Sequence, residues 1–109
     1  MSTNPYLELQ ERLRRLETRE ANPPLTVQVS NLQQWFQQTL LSPESDRPQS
    51  EQSLLVELHK QLRLLATDAA FLQSAKTPPT QQQRQQQMGD RLSTLQRYCN
   101  HLLNPEDKT

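Results

Sequence analysis

With 109 residues, the chain is long enough for one small domain and no more. Apolar residues make up only 32% of it, against the roughly 45–50% usual once glycine is included, so any core must be narrow. The single glycine, Gly89, excludes Gly-rich nucleotide-binding loops, the single cysteine, Cys99, excludes an intrachain disulfide or a Cys-rich zinc site, and a formal net charge of zero makes charge informative only by region.

At the start, Met1-Ser2-Thr3-Asn4-Pro5 has no basic or apolar signal character, and no apolar run anywhere exceeds four residues. A cytoplasmic chain with no secretion signal and no membrane span is expected. Isoleucine is absent and valine occurs three times, while leucine occurs 19 times and glutamine 17, a choice that suits helices and not strands. Prolines at positions 5, 23, 24, 43, 48, 78, 79 and 105 leave four proline-free stretches between them. Together these predict an all-α, antiparallel four-helix bundle forming a single domain over 1–109, with helices at about 5–20, 24–41, 50–76 and 79–103.

The first helix starts well, because Asn4 is a good N-cap and Pro5 falls where its missing N–H costs nothing. Tyr6, Leu9, Leu13 and Leu16 then mark one apolar stripe, and Glu8–Arg12 and Glu11–Arg15 stand four apart in the favourable order. Leu25, Val29, Leu32, Phe36 and Leu40 form the second stripe, in a stretch (21–43) with no charged side chain, so that helix should be flanked on more than one side. Two further stripes follow: Leu55, Leu58, Leu62, Leu65, Ala69 and Leu72, then Gln85, Met88, Leu92, Leu95, Cys99 and Leu102.

If the last two helices fold back on each other, opposed positions should have numbers with a constant sum. They do: Leu55 with Leu102, Leu62 with Leu95 and Leu72 with Gln85 all sum to 157, which centres the turn between Pro78 and Pro79. In the first half, Leu9 with Phe36, Leu13 with Leu32, Leu16 with Val29 and Glu20 with Leu25 sum to 45, centring a turn between Asn22 and Pro23. A short and a long αα-hairpin are thus expected. Arms of about 17 and 25 residues make the second hairpin longer by roughly 10–12 Å at 1.5 Å per residue. With the linker Ser42–Ser50 joining the open ends, the Pro78-Pro79 tip should project, carrying the polar run Gln81–Gln87.

Chemistry is sparse. His59, Cys99 and His101, with Glu57 nearby, are the residues with metal-ligand character, but Cys99 holds a core-layer position and His59 a flank position, so no metal, no cofactor and no enzymatic activity are expected. Residues 57–97 carry a basic excess of three, from Lys60, Arg63, Lys76, Arg84, Arg91 and Arg97 against Glu57, Asp68 and Asp90. With Tyr98 the one aromatic near those bases, the face suits an acidic protein partner better than nucleic acid; a nucleic-acid-binding regulator using this basic face is the alternative. Asp68 either pairs with Arg91 across the hairpin or is exposed. Of the pair Trp35-Phe36, Phe36 fits the stripe, and Trp35 either packs against the long hairpin or anchors a partner. The candidate partner-binding residues are Phe71, Lys76 and Arg84 at the projecting tip, and Trp35. A homodimer seam along the uncharged second helix is the other arrangement the pattern leaves open.

The second hairpin, through Glu57-Leu-His-Lys-Gln-Leu-Arg-Leu-Leu65, Phe71-Leu-Gln73 and Arg91-Leu-Ser-Thr-Leu-Gln-Arg-Tyr-Cys99, resembles the cyanobacterial heterocyst frequency control protein family, PatD. The resemblance covers about residues 51–103, and the first hairpin matches in size and at Leu32-Gln-Gln-Trp-Phe36. It implies a small cytoplasmic helical regulator without enzymatic activity, tied to heterocyst patterning and to the tubulin-like cell-division protein FtsZ. It supplies no catalytic or binding motif to carry over residue by residue.

Overall fold

The computed structural model describes residues 4–18, 24–41 and 48–104. Nine tenths of these are helical and, among the described residues, none is in a strand. The helices are α1 (Pro5–Glu17), α2 (Leu25–Leu40), α3 (Gln49–Ser74) and α4 (Pro78–Leu103).

Local chemistry accounts for their ends. Asn4 Oδ1 accepts from the Tyr6 N–H at 2.9 Å and Pro5 opens α1, as the sequence requires. The helix stops at Glu17, earlier than expected, with Thr18 as its C-cap; residues 19 and 20 lie outside the described residues, as do the Asn22–Pro23 turn, most of the 42–50 linker and the 106–108 tail. Between α3 and α4 the turn is Ala75–Thr77, and Pro78 and Pro79 stand inside the first turn of α4. Thr77 caps that turn, its Oγ1 accepting from the Thr80 N–H at 3.4 Å. Proline stops a helix from its interior but is well placed at the first turn, so the pair begins α4 instead of forming the bend.

Each helix packs on the next and α4 packs back on α1, with no backbone packing across the diagonals. Neighbours run antiparallel: Thr26 bonds Gln73 and Gln37 bonds His59 between α2 and α3, while Gln10 bonds Asn100 and Gln96 bonds Glu17 between α4 and α1. This is an up-down-up-down four-helix bundle. A side chain does cross one diagonal, where Tyr6 Oη donates to Glu51 Oε1 at 2.6 Å.

Every buried apolar residue among those described belongs to one of the four stripes, and Leu9, Leu13, Val29, Phe36, Leu58, Leu62, Leu65, Leu95 and Cys99 are fully enclosed. The uncharged α2 is flanked by α1 and α3, yet it buries a single stripe. Across the long hairpin, the facing pairs Arg91–Asp68, Arg84–Phe71 and Gln81–Ala75 fall close to the expected constant sum, although the turn lies earlier in the chain than its centre. Side chains lean toward the N-terminus of their own helix, in opposite directions on antiparallel neighbours, which raises the sum for touching side chains above that for level backbones.

The projection of the long hairpin is smaller than the arm lengths suggest. The Thr26–Gln73 bond sets the start of α2 beside the last turn of α3, so beyond it lie only the 75–77 turn and the first two turns of α4. The missing length is at the other end. The Gln37–His59 bond sets the end of α2 near the level of Val56–Glu57, so the first two turns of α3 run past α2. The α2 arm of the short hairpin therefore ends about two turns short of the base, while α1 begins at it, where Tyr6 bonds Glu51 and accepts from Cys99.

Three stripe ends, Leu25, Leu72 and Gln85, are only partly buried, and they meet at a cavity of about 90 Å³ lined also by Leu16, Met88, Leu92 and Gly89. Apart from its own helix backbone, a Cβ added at Gly89 would meet no atom of the described residues within 4 Å. Because glycine inside a helix is worse than alanine by roughly 0.5–1 kcal/mol, Gly89→Ala is expected to stabilise the bundle by about that amount in urea unfolding. A destabilised variant would mean that the backbone here is not regular helix.

Candidate functional site

Leu64 and Phe71 stand seven residues apart on α3, off the core stripe, on the edge that turns toward α4; they are 36% and 47% exposed. Opposite them α4 presents Arg84, Gln87, Asp90, Arg91 and Thr94, and the two helices enclose an open groove of about 460 Å³ on the side facing away from α1 and α2.

The floor of this groove is a polar network. Asp68 is only 7% exposed, and its Oδ2 accepts from Arg91 Nε at 2.9 Å. Arg91 Nη1 donates to Gln61 Oε1 at 3.2 Å, Gln61 Nε2 donates to Glu57 Oε2 at 3.2 Å, and Glu57 pairs with Lys60 at 3.7 Å. Each member is satisfied by the next, which fixes the side chains in place. One wall is an aromatic contact: the Arg84 guanidinium lies 4.5 Å over the centre of the Phe71 ring and donates to Gln87 Oε1 at 2.9 Å. Among the described residues neither Arg84 nor the exposed Lys76, in the turn beyond, has a carboxylate partner.

Of the four candidate residues, the structure brings Phe71 and Arg84 together, leaves Lys76 at the tip outside the groove lining, and separates Trp35 from all three. Trp35 is half-buried at the α1 side of α2, where the Arg12 guanidinium covers its ring at 4.5 Å while bonding Glu8 at 2.7 Å. The cover for the indole thus comes from α1, not from the long hairpin. For Asp68, the pairing with Arg91 is the arrangement found. Leu64, Gln61 and Asp90 were not singled out by the sequence reading, although the heptad spacing of Leu64 and Phe71 off the core stripe was a usable signal.

The residues with metal-ligand character diverge. His59 turns to α2, stacking on Phe36 with ring centres 6.2 Å apart, and lies 3.2 Å from the Gln37 amide nitrogen. Cys99 turns to α1 and donates to the Tyr6 carbonyl at 3.1 Å; burial pushes its thiol up to about 11, so it stays protonated at neutral pH. His101 is exposed on the last turn of α4. No group of three His, Cys, Asp or Glu able to hold a metal occurs among the described residues.

Fold and groove together define a small antiparallel helical bundle with one amphipathic face left open. No helix among the described residues is long and apolar enough to cross a membrane. Comparison of the chain with protein-family models, with curated proteins and with solved structures finds no match.

Proposed function

We propose that the chain is a non-enzymatic, cytoplasmic regulatory protein that acts by docking an acidic segment of a larger protein at the tip end of the α3/α4 groove. The observation that carries this reading is the exposed Phe71 ring with the Arg84 guanidinium laid on it, beside Leu64 and below Lys76. An apolar anchor next to cations without a carboxylate partner among the described residues is a surface that a carboxylate-bearing, partly apolar segment complements. The resemblance makes FtsZ the partner to test, with modulation of its assembly, in a setting of heterocyst patterning, as the consequence.

Lys76→Glu with Arg84→Glu is expected to weaken binding to purified FtsZ by about tenfold or more, with strong salt dependence of the wild-type interaction. The thermal midpoint should fall by at most a few degrees, since an exposed cation–π contact is worth only about 0.5–1 kcal/mol. Arg14→Glu with Arg15→Glu is the proper control on the first hairpin, both side chains being mostly exposed, whereas Arg12 is committed to Trp35 and Glu8. Loss of binding in the Arg14/Arg15 variant, and not in the tip variant, would move the docking site to α1.

A further inference from the structure

The middle of the same groove is self-complementary, and from this we infer that two copies of the chain pair through their α3/α4 faces. The first observation is apolar: Leu64 and Phe71 are exposed, seven residues apart, with their midpoint between Thr67 and Asp68. The second is ionic: Arg84 and Asp90, six apart on α4, are opposite in charge, and neither has an ion-pair partner among the described residues. Their midpoint is Gln87. Thr67, Asp68 and Gln87 all line the one groove, so the two midpoints fall at about the same level of the bundle.

The spans also agree, at roughly 10 Å on α3 and 9 Å on α4 for a rise of 1.5 Å per residue. A twofold axis perpendicular to the helices at that level therefore does two things at once. It sets Leu64 of each copy against Phe71 of the other and, with the Arg84 side chain swung off the Phe71 ring and out of its bond to Gln87, brings Arg84 of each copy within reach of Asp90 of the other. Such an isologous contact repeats every favourable pair twice.

Charge selects this occupant for the middle of the groove. Arg91 is neutralised there by Asp68, so what remains is one cation and one anion on either side of the axis. A wholly acidic segment would oppose Asp90, while a second copy matches both charges. Self-association stands independently of the docking reading. That a paired copy would occupy Phe71 and Arg84, and so compete with the larger partner, rests on that reading.

The test is sedimentation equilibrium of the full chain alone, over a wide concentration range, with circular dichroism to confirm that each variant is helical. Wild type is expected to show a monomer–dimer equilibrium. Arg84→Asp sets Asp against Asp90 at both contacts, and Asp90→Arg sets Arg against Arg84 at both, so each variant alone should dissociate at least about tenfold more readily. Mixed in equal amounts, the two variants face each other with opposite charges at both contacts, and association should return to the wild-type range. A wild type that stays monomeric at the highest concentration overturns the proposal. So do single variants that dimerise as wild type does, or a mixture that fails to associate. Because no second protein is present, none of these outcomes depends on whether FtsZ binds.

Discussion

Leu62→Ala and Leu95→Ala are each expected to destabilise the protein by about 2–5 kcal/mol, and together by less than the sum of the two. Both side chains are 0% exposed, and both sit in the middle of the long hairpin, where neighbouring helices cannot collapse onto a void without moving the whole layer. The first truncation opens a cavity; the second enlarges a space already opened, so its extra effect is smaller. Urea unfolding of the two single variants and the double variant measures the coupling, with Val56→Ala as an exposed control expected to stay within about 0.5 kcal/mol of wild type. Strict additivity would show that Leu62 and Leu95 do not share a layer. The constant-sum register would then be wrong.

That register illustrates what a sequence of this kind makes legible. Leucines at three-four spacing can be buried in one way only, with the stripe inward, so the buried set follows from spacing alone. Within a hairpin, a short connection forces antiparallel pairing and number arithmetic gives the layers. Between hairpins no such constraint acts. How far the short hairpin slides along the long one is set by contacts such as His59 stacked on Phe36 and Thr26 bonded to Gln73, which no periodicity announces. The expected long free tip assumes that both arms of the short hairpin end level with the base, which holds for α1 and not for α2.

The site was legible in part for a similar reason. Phe71 and Arg84 are off-stripe residues near a turn, and the hairpin register alone brings them together. Trp35 was ambiguous because its fate depends on whether a long side chain on α1 reaches it, and Arg12 does. The turn at Ala75–Thr77 was misplaced for a local reason: a proline pair reads equally as the end of one helix and the start of the next, and Thr77 as N-cap decides for the start.

Removal of Arg91 is expected to have the largest effect of any change at the groove. Arg91→Met leaves the Asp68 carboxylate 90% enclosed with its counter-charge gone and deprives Gln61 of its donor. Breaking a fully buried pair costs about 3–5 kcal/mol; here the Arg91 side chain keeps 29% of its surface in water, so about 2–3 kcal/mol is expected. Asp68→Leu combined with Arg91→Met removes both charges and fills the space with apolar atoms. An enclosed ion pair replaced as a unit is often neutral in stability, whereas one partner left alone is not. The double variant should therefore be more stable than Arg91→Met alone, a reversal that denaturant midpoints at constant slope would register directly. If it were less stable instead, the Asp68 carboxylate would have to be finding compensation in the Arg91 variant from water or another donor. The network would then be a surface feature, too weakly held to define the floor of a docking groove.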